Sequence, residues 1–187
     1  MEDVLVLITG GTICREYNPR TGGIGHNQKL VTSFMQKMNM STKLHYLTTQ
    51  VADSRNFTRE DRIDLWNVCE RETEDRILVI HGTDTLCETA RLFCEQDLKK
   101  TIVFTGAFWP MTYNFTDAQF NLGFGLACAK IKEKGVYVAM SGECLDGQYA
   151  VKNWDTLRFE HDELLRKIES GNGNSEELDS GEPSGDI

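Results

Sequence analysis

The stretch Leu5-Val6-Leu7-Ile8-Thr9-Gly10-Gly11-Thr12-Ile13 decides the fold. Four apolar residues run without a polar break into Thr-Gly-Gly-Thr. Such a run reads as a strand buried on both faces, the kind found at the centre of a parallel sheet. The paired glycines permit a tight turn with no side chain in the way. Thr12 then stands at the carboxyl end of a strand, the edge at which open α/β sheets place their chemistry. Alone, the stretch is equally well a plain strand-to-loop turn. A second stretch, His81-Gly82-Thr83-Asp84-Thr85, repeats the arrangement after the apolar run Ile77-Leu78-Val79-Ile80, and two hydroxyl-rich strand ends point to a site.

Outward from these two stretches, strand and helix alternate. Strands are expected at 4–9, 43–48, 76–81, 101–105 and 135–141. The segment 10–26, with Gly10, Gly11, Gly22, Gly23 and Gly25, reads as a glycine-rich loop able to close over a site, with Tyr17 inside it. A helix over 27–38 should present Leu30, Phe34 and Met38, with Asn27 as its cap. The next should start at a Thr58–Asp61 capping box and bury Ile63, Trp66 and Cys69; Thr85 and Glu88 should box the one after, along Leu86, Ala90, Phe93 and Cys94. A long helix over 114–132 should turn Phe120, Phe124 and Ala127 or Ile131 inward, an irregular arm covers 142–156, and 160–168 looks helical. The pattern predicts a three-layer α/β/α domain around a mainly parallel central sheet. From residue 170 the composition turns to Gly, Asn, Ser, Glu, Asp and Pro, so the domain is assigned to 1–169 and 170–187 reads as a disordered acidic tail.

With 187 residues, 40% hydrophobic and 26% charged, the chain has the balance of one soluble globular domain. A formal net charge of −9 with no basic stripe argues against nucleic acid. No apolar run reaches membrane-span length, and Val4–Ile8 is too short for a leader and follows Glu2-Asp3, so a cytoplasmic location is expected. Six scattered cysteines without a Cys-x-x-Cys pair read as free, mostly buried thiols in a reducing compartment. His26, His45 and His161 show no metal-ligand spacing, and neither a dinucleotide fingerprint nor a Walker loop is complete; no metal and no cofactor are expected.

Thr12 is the candidate nucleophile, and a threonine hydroxyl at neutral pH needs a base to activate it. Thr83 is either a second reacting hydroxyl or a helix cap. Asp84 is either a partner for a substrate ammonium group or an ordinary first-turn carboxylate. Lys152 is either a proton relay between hydroxyl and carboxylate or, taken singly, a surface lysine. His81 continues a buried strand and reads as a packed histidine as readily as a base.

Together, Thr9-Gly10-Gly11-Thr12-Ile13 and His81-Gly82-Thr83-Asp84-Thr85 resemble the two signature motifs of the bacterial-type L-asparaginases and glutaminase-asparaginases. Asp53-Ser54 with Asn56 resembles that family's substrate-carboxylate loop. Gly106-Ala107 with Pro110, Asp117 and Asn121-Leu122 resembles the segment after its fourth strand, and Leu145-Asp146-Gly147 followed by Lys152 the arm that carries its lysine. The resemblance covers roughly residues 4–160. It implies a flavodoxin-like sheet and an amidohydrolase. Thr12 would attack the side-chain amide of asparagine, or of glutamine, to form an acyl-enzyme; Tyr17 would orient or activate it. Thr83, Asp84 and Lys152 would position water and pass protons. Ser54 would bind the α-carboxylate and Asp84 the α-ammonium. Backbone amides around Thr12 and Thr83 would polarise the amide oxygen, and Gly11, Asp53, Arg55, Gly82 and Ala107 complete the substrate side. Aspartate and ammonia would leave. A homodimer or homotetramer is implied.

Three departures from the family pattern stand out. The usual member is nearly twice this length and has a smaller C-terminal domain, so a short, single-domain form is expected. Arg55 stands where many members have a neutral residue; a cation there strengthens carboxylate binding but repels an ammonium group. Trp109 replaces an arginine. These departures leave two alternatives open: a binding or regulatory module that keeps the pocket without turnover, and an amidase for a different small amide.

Overall fold

The first strand, β1 (Val4–Gly10), is buried along its whole length. It lies inside a six-stranded sheet in a computed structural model of the chain that describes residues 3–96 and 99–169. The expected tail lies outside the described residues. On one side of β1 is β4 (Leu44–Ala52); on the other, in order, lie β5 (Arg76–Ile80), β6 (Thr101–Thr105) and β7 (Gly135–Met140), all parallel. The edge strand β8 (Glu143–Asp146) runs antiparallel to β7. Counted along the chain, the parallel strands stand in the order 2-1-3-4-5, which is flavodoxin-like. The order reverses at β1, so β1 and β5 flank the switch point, where such sheets leave a crevice at their carboxyl ends.

Strand parity sorts the core into two layers. Val4, Val6 and Ile8 pack with Val31 and Met35 of α1 (Lys29–Lys37) and with Leu122 and Ala129 of α4 (Ala118–Ile131). Leu5 and Leu7 pack on the opposite face with Leu65 and Cys69 of α2 (Arg59–Arg71) and with Ala90 and Phe93 of α3 (Leu86–Cys94). The three layers are those the alternation of elements predicts.

The helix faces differ from expectation in ways that packing explains. In α4 the buried residues include Ala118, Leu122, Leu126 and Ala129, while Phe120 and Ile131 are 60% and 78% exposed. This helix is apolar nearly all round, so periodicity cannot choose its face; the small residues win because they let it approach the sheet closely. In α1 the buried pair is Val31 and Met35, not Leu30 and Met38. In α2 the inner face carries Arg62, Leu65 and Cys69, while Ile63 is exposed. The Thr58–Asp61 capping box forms as expected. Thr85 and Glu88 form none: the Thr85 hydroxyl donates to the Ser54 carbonyl at 2.9 Å, and Glu88 pairs with Arg62 at 2.9 Å.

Segment 10–26 is ordered as a 3-10 turn (Thr12–Cys14) followed by an antiparallel hairpin of β2 (Arg15–Asn18) and β3 (Gly23–His26). The arm after β8 is also regular: β9 (Ala150–Asn153) pairs with β10 (Arg158–His161), and α5 (Glu163–Glu169) follows.

Candidate active site

Three loops meet at the carboxyl ends of β1, β4 and β5. Register brings them together: Ile8 pairs with Ile80, Gly10 pairs with Ala52, and the Thr9 hydroxyl donates to the Ile80 carbonyl at 2.9 Å. Gly11 has φ +83° and ψ 179°, a conformation essentially closed to L side chains. A Cβ there would also stand 2.7 Å from Gly82 Cα. Gly82 in turn leaves no room for a Cβ beside Ser54 Oγ. Glycines at 11 and 82 thus let the first loop lie on the third, and the third on the second.

Between the loops lies one polar cavity of about 120 Å³. Gly11, Thr12 and Arg15 line it from the first loop, Asp53, Ser54 and Arg55 from the second, and Gly82, Thr83 and Asp84 from the third. Its size suits a small polar metabolite rather than a large ligand.

Lys152, on β9, reaches this group from below. Its Nζ donates to Asp84 Oδ1 at 2.8 Å and to Thr83 Oγ1 at 3.4 Å, and its side chain is 6% exposed. The ammonium lies 3.9 Å from the Trp154 ring centroid and 5.2 Å from that of Phe108, so aromatic faces hold it from the other side. Charge neutralisation and the aromatic faces together stabilise a buried ammonium that would otherwise be costly. The single-residue reading of Lys152 as a surface group is therefore corrected: the β9–β10 pairing turns it inward.

Asp53 is held on both oxygens. Arg55 Nε donates to Oδ1 at 3.0 Å, Arg55 Nη2 to Oδ2 at 2.7 Å, and Arg15 Nη2 also to Oδ2 at 2.8 Å. The Arg55 hydrogen bonds, supported by the Arg15 charge, keep the Asp53 carboxyl well below the usual range. Arg55 Nε also stands 3.5 Å from Asp84 Oδ2.

His81 lies under the cavity floor, fully buried. Its Nδ1 is 2.9 Å from the Gly82 carbonyl and its Nε2 3.1 Å from Thr89 Oγ1, whose oxygen also accepts from Arg62 Nε at 3.0 Å. Nδ1 must donate to the carbonyl, so Nε2 accepts from the Thr89 hydroxyl. Burial lowers the His81 pKa to about 4, and the ring stays neutral. Of its two sequence readings, the packed histidine is the one the geometry fits: it supports the Gly82 turn and does not line the cavity. Cys14, two residues beyond Thr12, is buried and its thiol is pushed up to about 12, so it stays protonated and unreactive.

Tyr17 is 62% exposed on the β2–β3 hairpin and lines a separate hollow with Glu16, Asn18 and His26. Ala107 is fully buried in the apolar layer with Ala118 and Leu122, away from the cavity. Its neighbours hold the loop after β6 in shape. Asp117 accepts from the Phe108 and Trp109 amides at 3.0 Å each, and Asn121 donates to the Gly106 carbonyl at 3.0 Å. Sequence reasoning missed Arg15, Trp154 and Phe108. Arg15 had a signal, three residues beyond Thr12; the two aromatic rings had none, because only the folded arm brings them to Lys152. Among the described residues, no group of three or more His, Cys, Asp or Glu is placed to hold a metal ion, and no helix is long and apolar enough to cross a membrane.

The model of the asparaginase N-terminal domain matches residues 3–163. The chain belongs to the asparaginase family. It is 30% identical over 166 residues to a glutaminase-asparaginase of Pseudomonas aeruginosa, covering 81% of this chain and 46% of that one. Against L-asparaginase 2 of Escherichia coli it is 29% identical over 167 residues, covering 81% and 47%. The thermostable L-asparaginase from Thermococcus kodakarensis superimposes with a TM-score of 0.76 at 24% identity, over 85% of this chain and 51% of that chain. A probable cytoplasmic L-asparaginase from Campylobacter jejuni gives a TM-score of 0.70 at 26% identity, over 81% and 48%. The chain thus spans about half the length of each of these relatives.

Proposed function

We propose that this asparaginase-family domain is an amidohydrolase that cleaves the side-chain amide of asparagine, glutamine or a close structural relative through a threonine acyl-enzyme. One observation carries the reading: Thr12 and the Thr83–Asp84 pair line the same small cavity, and Lys152 hydrogen-bonds both members of that pair. Thr12 Oγ attacks the carboxamide carbon as its proton passes to a neighbouring base. The carbonyl oxygen gains negative charge, which backbone amides around Thr12 and Thr83 stabilise. The C–N bond breaks, and ammonia leaves with the transferred proton. Thr83, with Lys152 and Asp84, positions the water that then attacks the ester carbon. Its proton returns to Thr12, and a carboxylate departs. Ser54 receives the substrate's carboxylate. Tyr17 orients Thr12 once the β2–β3 hairpin folds down. Hydrolysis by this route calls for no cofactor. A homodimer or homotetramer and a cytoplasmic location belong to the same reading; the Campylobacter relative's description supports the latter.

A second reading, a binding module without turnover, is favoured by one feature: Tyr17 stands in solvent, away from Thr12's cavity. Ammonia release separates the two. The purified chain is expected to liberate ammonia from at least one amide in a panel of asparagine, glutamine, N-acetyl-asparagine and succinamate. Thr12→Ala and Thr83→Ala should abolish it while the protein stays folded by circular dichroism. No ammonia from any of the four would end the amidohydrolase reading.

A further inference from the structure

The cavity's charges have already found partners. Both oxygens of Asp53 accept from Arg55, and Oδ2 from Arg15 as well. Asp84 gives Oδ1 to Lys152 and faces Arg55 with Oδ2. Three cations meet two carboxylates, so the group carries a net positive charge, and Asp84 Oδ2 accepts no hydrogen bond but lies 3.5 Å from Arg55 Nε, whose N–H already donates to Asp53. A free α-ammonium needs one such oxygen. Here it would have to displace Arg55 from Asp84 or sit beside the guanidinium, and like charges at that range repel. A substrate carboxylate has the opposite experience: the excess cation favours it, and the bidentate geometry of an arginine suits it.

We propose that Arg55 sets the substrate class: the site takes a carboxamide whose skeleton carries a carboxylate but no free ammonium group. The chemistry is that of an N-acylated asparagine or of a dicarboxylic acid monoamide. The amide and water give a carboxylate and ammonia, with no other reactant. The inference rests on the amidohydrolase reading for its reaction, but ligand choice is measurable without turnover.

The test is calorimetric titration of the full chain carrying Thr12→Ala, which prevents consumption of the ligand, with N-acetyl-asparagine, succinamate and asparagine. With Arg55 in place, at least one of the two ammonium-free amides is expected to bind at least tenfold more tightly than asparagine. Which of the two it is tells whether the site accepts an acyl group. The second variant, Arg55→Gln, changes an exposed side chain and should fold normally; it leaves Asp53 to Arg15 and Asp84 Oδ1 to Lys152 but removes the cation beside Asp84 Oδ2, so the ratio should fall to near one or invert in favour of asparagine. Raised salt should narrow the preference. A preference of less than tenfold for the better of the two analogues over asparagine, an unchanged ratio in Arg55→Gln, or no binding of any of the three would each overturn the proposal. Turnover reads separately. The expected binding preference without ammonia release fails the amidohydrolase reading and leaves this one standing. Wild-type hydrolysis fastest on asparagine does the reverse.

Discussion

The two halves of the candidate site are built differently. The half formed by Thr83, Asp84 and Lys152 is tied directly together, with Lys152 6% exposed and its ammonium held by both partners. The other half joins Thr12 to Tyr17 through a hairpin whose tyrosine is 62% exposed. The first half hangs from β5 and β9 and shares its neighbours with the core. The second extends beyond the sheet on a two-stranded ribbon, a unit that is marginal alone. In the proposed mechanism the hairpin closes after the ligand arrives, and a preorganised group beside an exposed one is compatible with such a lid.

The sharpest way to break this contrast is Lys152→Met. Losing the ammonium strips Asp84 and Thr83 of their shared donor, and kcat/KM for ammonia release should fall by ~10²–10³. The hairpin half would be untouched. The tied half can also be probed through its support. Fully buried His81 takes a proton at about pH 4 in the fold, against 6.5 when unfolded. The unfolded chain therefore binds the proton first as pH drops, and stability falls between pH 6.5 and pH 4. Urea unfolding followed from pH 7 down should show a loss reaching about 3 kcal/mol from this group, and His81→Gln should flatten that slope. Gly11→Ala tests the contact between the halves. The new Cβ meets Gly82 at a backbone angle only glycine tolerates comfortably, and a cost of about 2 kcal/mol in urea unfolding is expected, with lowered activity. Tyr17→Phe should do least: kcat lower by ~10-fold if the phenol reaches Thr12 on closure, with the melting temperature unchanged because an exposed hydroxyl contributes little.

Much of the fold was legible because the central strands are short, β-branched-rich apolar runs bounded by turn residues, a pattern that favours a buried strand over a helix. Helix faces were less so. The all-round apolar character of α4 left its orientation to close packing, and Arg62 on the inner face of α2 breaks the apolar stripe because Thr89, Glu88 and the Phe57 carbonyl receive its guanidinium. The two threonine loops were visible as hydroxyls at strand ends, and the register of β1 with β5 put them side by side. The partners of Lys152 were not visible, since the mixed polar and apolar residues of the arm carry no sign of which face turns inward.

The order of the five parallel strands and of the helices between them, the glycine turns and the threonines at the ends of β1 and β5 are local properties, and sequence alone specified them; the hairpin and the strands of the arm it did not. Tertiary structure decided the pairing of charges. Which cation neutralises Asp84, and whether Asp53 is left open or clamped, depends on side chains from β2, the Ser54 turn and β9 converging within a few ångströms. Coulomb interactions depend on distance and burial rather than on separation along the chain, so a sequence can name these charges but only the fold can match them.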